Sequence, residues 1–216
     1  MDYENNYHNV AHENLFKSES YYKLRARLSF FKYFSKIKNI KEKKILEYGA
    51  GMGQNIFLLK DNAAAYDLSD FALNFCEKKG IQVIRELKPI RDNSFDVILS
   101  SHVIEHVDNP LETLKTINKK LKKGGVFILI IPKEPQAKSE LAPELRNYHL
   151  YSWNFRSINN LLHHAGFKVF HNKTFYGTAF NKLSFLSKIS FKLYYLATYL
   201  VGRLFGAGEL VIYSGK

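Results

Sequence analysis

Cysteine is almost missing from this chain: Cys76 is the only one in 216 residues. That excludes an intramolecular disulfide and a cysteine-rich zinc site, and it fits a reducing compartment. Long apolar runs are missing too. The longest uncharged stretch, near "LYYLATYLVG", is well short of the ~18 residues of a membrane-spanning helix. The opening "MDYENNYHNVAHENL" is polar and partly acidic, with no signal-peptide core. These omissions lead to the expectation of a cytoplasmic protein that at most rests, peripherally, on the inner membrane surface. Acid is missing from one long span: between Leu145 and Gly208 there is no Asp or Glu. The same span holds Arg146, Arg156, Lys168, Lys173, Lys182, Lys188, Lys192 and Arg203, most of the net charge of +12. Such asymmetry suits an anionic partner: a phosphorylated substrate, an acidic membrane or nucleic acid. A merely solvated basic face is the plainer alternative, and at this stage both stand.

What is present is an ordinary globular composition, 46% hydrophobic and 24% charged, at a length suited to one domain. The expected organisation is a single domain over 1–216. A helical cap (1–40) precedes a core (41–135) and an acceptor-side region (136–216) that carries a helical insert at 183–205. Strands are expected at 44–48, 63–67, 81–85, 95–100 and 125–131, and helices at 53–60, 70–79 and 109–122, the last closed by "KKGG". Strands and helices in alternation imply an α/β fold whose parallel sheet is covered on both faces. A helix around 155–165, a strand around 167–175 and a closing strand in "GELVIYSGK" complete the pattern. Over 183–205, Leu186, Ile189, Leu193, Leu196, Leu200 and Leu204 recur at steps of three and four, a helical stripe.

The stretch "LEYGAGMGQN" places Glu47, Gly49, Gly51 and Gly53 at alternate positions between a strand and an expected helix. A nicotinamide-binding G-x-G-x-x-G would need glycine where Gln54 stands, and a phosphate loop would need G-K-[ST]. Neither is present. Asp67 follows at the end of the next strand, where a carboxylate can accept from both hydroxyls of a ribose. A turn free of β-carbons lets an adenosine-bearing ligand lie on the backbone.

With "AAYDLSDFAL", "DNSFDVILSSHVIEHVDNP" and "LKKGGVFILIIP", this stretch resembles the class I S-adenosylmethionine-dependent methyltransferases, nearest the branch acting on small molecules, quinones and sugars. The likeness runs from about residue 40 to 170 and reappears in the last strand. It implies a Rossmann-like, doubly wound sheet of seven strands, mostly parallel with one reversed, and S-adenosyl-L-methionine as cofactor. Carried over, Gly49, Ala50, Gly51 and Gly53 form the turn against the cofactor's methionine part, and Glu47 is the acid that opens the motif. Asp67 is the ribose-binding acid, Leu68 lies beside the adenine, and Glu86 and Leu87 lie near it, although Arg85-Glu86-Leu87 departs from the usual acid-alanine pair. Arg25 stands where quinone-type relatives place an arginine on the cofactor carboxylate; an exposed helix residue is the alternative.

Methyl transfer needs acceptor, methyl carbon and sulfur in line, and a hydroxyl acceptor gains from a base. Ser101 and His102 stand just past a strand whose end should face the cofactor, with Glu105 and His106 four residues further on. On a helical turn His102 and His106 would share a face. His102 or His106 is expected within reach of the acceptor, with Glu105 in the wall of the site. An inverted-zincin reading of His-x-x-Glu-His is set aside, because it needs a long helix and further ligands; no metal is expected. "RNYHLYSWNFRSINNLLHHAGF" resembles the family segment beside the substrate pocket, so His149 and Tyr151 are expected to line it. Ser152 or Asn154 would cap the next helix, and Trp153 would pack.

The expected acceptor is small and anionic, such as a nucleotide sugar or phosphorylated glycan precursor. The 183–205 insert is read as a lid whose leucine stripe packs on the domain, in preference to a peripheral membrane contact. Nucleic acid is disfavoured, because the N-P-P-Y-type tetrad of base-amino methylases is replaced by "SSHVIEH" and no RNA-binding module is visible. Prenylated quinone or lipid acceptors, and a scaffold without catalysis, are the competing readings.

Overall fold

The structure, a computed structural model, describes residues 18–133 and 149–216. The first 17 residues of the expected cap, and the expected boundary at 135/136, lie outside the described residues. The chain runs through α1 (Glu19–Ser29), continued by a π-helical turn (Phe30–Phe34), then β1 (Ile45–Tyr48), β2 (Ala63–Tyr66), α2 (Asp70–Lys78), β3 (Gln82–Ile84) and β4 (Phe95–Ser101). It continues through α3 (Pro110–Lys120), β5 (Leu121–Lys133), α4 (Phe155–His164), β6 (Lys168–Tyr176), α5 (Phe191–Leu204) and β7 (Gly208–Gly215). The seven strands form one sheet in the order β3-β2-β1-β4-β5-β7-β6. β1 to β5 are parallel, and β7 runs antiparallel to both its neighbours. This is the mostly parallel, Rossmann-like sheet that the resemblance implied.

The apolar run of β5 shows why both faces are covered. Phe127, Leu129 and Ile131 enter one buried cluster and Ile128 and Ile130 the other, since successive strand residues point to opposite faces. α3 and α4 close the first face through Leu114, Ile117, Ile158 and Leu162. The second is closed by Phe34, Leu73 and Cys76 from the π turn and α2. Local chemistry sets the helix starts. Asn109 caps α3 with Pro110 at its first position, and Asn154 caps α4 reciprocally with Ser157. Because the chain moves outward from β1 to β3 and then returns to β4, the crevice at a topological switch point lies between β1 and β4, beyond their carboxyl ends.

Three expected elements differ. The helix expected over 53–60 is a run of turns with one 3₁₀ turn at Phe57–Leu59. Gly53 has φ +68, and the Asn55 side chain is drawn inward to Glu47, so no regular helix starts there. α3 ends at Lys120, before "KKGG", and the chain enters β5 at once with a register shift between Phe95 and Val97. The 183–205 helix is a 3₁₀ turn (Ser184–Lys188) followed by α5. The lid expectation fails in its orientation. α5 buries Tyr194, Thr198 and Gly202 against the domain, whereas Leu193, Leu196, Leu200 and Leu204 are exposed.

Candidate functional site

The turn after β1 is held by its own backbone. The amides of Gly49 and Ala50 both donate to the Tyr66 carbonyl, at 2.8 and 2.9 Å. Gly49, Gly51 and Gly53 all have positive φ. At Gly49 the requirement is double: φ is +74, and a Cβ would lie 2.2 Å from Val103 Cγ2. The loop after β4 therefore sits directly on the glycine turn. Asp67 pins the turn from the other side. Its Oδ2 accepts from the Gly51 amide at 2.8 Å and its Oδ1 from the Ser69 amide at 3.0 Å. Each oxygen keeps a lone pair for a further donor.

Beneath the turn lies Glu47, fully buried. Its Oε1 accepts from Asn55 Nδ2 at 2.6 Å, and Asn55 Oδ1 accepts from Ser29 Oγ at 2.7 Å. Its Oε2 has no hydrogen-bond partner among the described residues. Burial, opposed by the Asn55 bond and helped by the nearby Asp67, pushes the carboxyl up to about 8. An orphaned buried carboxylate oxygen under a β-carbon-free turn fits a ligand carrying an ammonium group. The raised pKa also has a sign. The folded form holds its proton more tightly than the unfolded chain, so Glu47 weakens the fold progressively as pH climbs from about 4.5 towards 8. Glu47→Gln is therefore expected to raise stability by roughly 4 kcal/mol near pH 8 and little near pH 4.5. Urea denaturation at both pH values checks this; a gain independent of pH contradicts it.

The residues past β4 divide into two groups. His102, at φ +56, lies between two carboxylates: Nδ1 is 3.3 Å from Glu105 Oε1 and Nε2 is 3.5 Å from Glu209 Oε1. Its side chain is 41% exposed, so the desolvation that would lower its pKa is incomplete, and the carboxylates of Glu105 and Glu209 beside it raise it to about 9. His106 instead meets His149, with ring centroids 4.8 Å apart. The expected shared helical face is thus corrected: the chain bends at 102 and turns over 104–106 with no helix, and the His102 ring is set between Glu105 and Glu209. Glu105, His106 and His149 do converge, offering ligand atoms within 4.8 Å of one another. Glu105 is wholly buried, and its main-chain carbonyl accepts from the Leu150 and Tyr151 amides, which ties 149–151 to this turn.

A cavity of about 480 Å³ opens beside His102, lined also by Lys133, Gly177, Phe205, Gly206, Ala207, Gly208 and Glu209. None of the glycine-turn residues lines it. The two places meet at adjacent residues, His102 in the cavity and Val103 on Gly49. Glu209, at the start of β7, is the residue that sequence reasoning missed. It pairs with Lys32 and accepts from the Tyr33 hydroxyl at 2.7 Å. Burial would raise its pKa; Lys32 first and then His102 pull it well below the usual carboxylate range. Two signals pointed here: Glu209 is the only acid after Glu144, and Lys32 is a single cation inside the aromatic run "FFKYF".

The other expected residues fall as follows. Arg25 lies on α1 with its guanidinium 4.3 Å from the Phe180 ring centroid, and its buried Nε lacks a hydrogen-bond partner among the described residues. It is not a freely exposed helix residue. Ala50 is buried. Leu68 is exposed beside Asp67, Glu86 is exposed, and Leu87 is buried in the cluster that holds Ile98 and Ile104. Ser101 ends β4 opposite Ile130. Tyr151 donates from its hydroxyl to the Asp108 carbonyl at 3.0 Å and stacks on Trp153. Neither His149 nor Tyr151 lines the cavity beside His102.

Residues 15–172 match the methyltransferase domain family. An uncharacterized protein of Methanocaldococcus jannaschii is 33% identical over 121 residues, covering 53% of this chain and 52% of that protein. Phosphoethanolamine N-methyltransferase 1 of Arabidopsis thaliana is 28% identical over 141 residues, 57% of this chain and 28% of that protein. The chain thus spans about half, or less, of the length of these curated relatives. Among solved structures, a SAM-dependent methyltransferase from Archaeoglobus fulgidus superposes with a TM-score of 0.61 at 20% identity, covering 98% of this chain and 100% of the other.

Proposed function

Because the chain belongs to the methyltransferase domain family, we propose that it binds S-adenosyl-L-methionine on the glycine turn and transfers the methyl group to a hydroxyl or amine of a small, anionic acceptor. The observation that carries this reading is the orphaned Glu47 carboxylate beneath a turn of left-handed glycines pinned by Asp67. Gly49, Ala50, Gly51 and Gly53 would hold the cofactor's methionine part and Asp67 its ribose. The bound cofactor supplies an electrophilic methyl carbon, so the chain's own work is alignment and charge placement.

The cavity beside His102 suits the acceptor. Lys133 lines it, and the basic span from 145 to 208 surrounds the same region in sequence, which supports an anionic acceptor such as a nucleotide sugar or phosphorylated glycan precursor. The likeness to a phosphoethanolamine N-methyltransferase is consistent with a phosphate-bearing acceptor. His102, protonated at neutral pH, is a hydrogen-bond donor there and not a base. Glu209 stays ionised and faces the positive charge that develops on the acceptor atom as the new bond forms. A lipid-borne acceptor is the second reading, favoured by the outward leucines of α5.

Calorimetric titration with S-adenosylmethionine tests the assignment. Micromolar binding by the parent is expected to weaken at least tenfold, ~1.4 kcal/mol or more, in Asp67→Ala, which loses both the ribose contact and the acceptor for the Gly51 amide. No heat from a folded parent contradicts it. Heat without release of S-adenosylhomocysteine from any phosphorylated sugar or amine would leave a binding scaffold, against the catalytic part of the proposal.

A further inference from the structure

α5 is oriented the wrong way round for a helix that only completes a core. Its inner line is Tyr194, Thr198 and Gly202. At Gly202 the helix approaches so closely that a Cβ would lie 2.3–2.9 Å from the Gly177 backbone. The large aliphatic side chains are left outside: Leu193, Leu196, Leu200 and Leu204, preceded by Phe185 and Ile189 and followed by Phe205, all exposed. Leu204 is 79%, Ile189 75% and Phe205 74% exposed. A contiguous apolar stripe of this kind is an interaction surface.

Its surroundings select the occupant. At about 100° per residue, Lys192 and Arg203 fall along one edge of the stripe beside Leu196, and Lys188 ends the 3₁₀ turn before the helix. Tyr195 and Tyr199 flank the same edge, with Arg203 donating to the Tyr199 hydroxyl at 3.1 Å. No acid occurs in the chain from 145 to 208. Aliphatic centre, cationic edge and flanking tyrosines make the pattern of a helix that lies in the interface of an anionic bilayer. A second copy docked by the same face would set one cationic edge against another. No described helix is long and apolar enough to cross a membrane, so the contact is parallel to the surface.

We propose that α5 docks the protein on an anionic lipid surface. Phe205, which ends the stripe, and the following Gly206 and Ala207 also line the cavity beside His102, so docking brings the cavity mouth to the bilayer. That consequence, an acceptor drawn from the membrane interface, rests on the methyl-transfer reading; the docking itself does not.

Vesicle co-sedimentation of the full chain tests it. Binding to phosphatidylglycerol-containing vesicles is expected to exceed binding to pure phosphatidylcholine at least about tenfold and to weaken as salt is added. Leu196→Glu/Leu200→Glu should lose about tenfold, and Lys192→Gln/Arg203→Gln several-fold. All four positions are exposed, and unchanged thermal melts confirm folding of both variants. Absence of pelleting, equal pelleting with neutral vesicles, or indifference to the leucine variant overturns the proposal. So does a dimer in sedimentation velocity that the leucine variant dissociates. Titration of the same samples with S-adenosylmethionine reads the cofactor site separately, so failure of either assignment is seen by itself.

Discussion

Glu209→Ala is expected to lose about 3–5 kcal/mol of folding stability, the range for removing one partner of a buried ion pair. The Lys32 side chain is only 6% exposed, and without Glu209 its ammonium has no carboxylate beside it among the described residues. The same substitution strands the Tyr33 hydroxyl and removes one of the two carboxylates around His102. The loss should depend on pH. His102 is raised above its unfolded value, so its contribution is full below about 6.5 and disappears as pH rises through about 9. Glu209 is depressed, so its contribution is full above about 4.5 and fades as pH falls. The difference between parent and variant is thus largest between about 4.5 and 6.5 and narrows towards pH 9. Urea denaturation across pH 5 to 9 measures it. A loss below about 1 kcal/mol, or one indifferent to pH, would mean that the cluster is not the buried network described. Glu209→Gln, which keeps an acceptor for Tyr33, should lose less than alanine while showing the same flattening with pH.

Gly49→Ala is expected to abolish measurable S-adenosylmethionine binding. Alanine at φ +74 carries the left-handed penalty, about 1–2 kcal/mol, and its Cβ meets Val103 Cγ2 at 2.2 Å. The turn must shift, or the loop that carries His102 must move away. Either change separates the glycine turn from the cavity. The double variant Gly49→Ala/Val103→Ala relieves the contact but not the backbone strain, so it should recover part of the thermal stability and less of the binding. Calorimetry beside thermal denaturation separates the two effects. Binding by Gly49→Ala within a few-fold of the parent would show that no ligand needs the bare backbone there.

What the chain determines locally was legible without coordinates. Strand and helix alternate as the apolar periods require, and the glycine positions and Asp67 lie where a turn needs them. Asn154 caps its helix because capping involves neighbours three residues apart. Each of these depends on groups close in sequence, so the pattern carries the information. Tertiary contacts decided the rest. The 53–60 helix gave way because Glu47, on a different element, draws in Asn55. The 183–205 period identified an apolar stripe, but periodicity does not say which face turns inward; the close approach of Gly202 to Gly177 turned the leucines out. The charge centre joins Lys32 to Glu209 across 177 residues and places His102 between Glu105 and Glu209. A fold brings such groups together by closing its sheet, and no local propensity records that closure. The sequence alone determined the fold and the glycine turn, and the tertiary structure decided what surrounds His102 and which face of α5 turns outward.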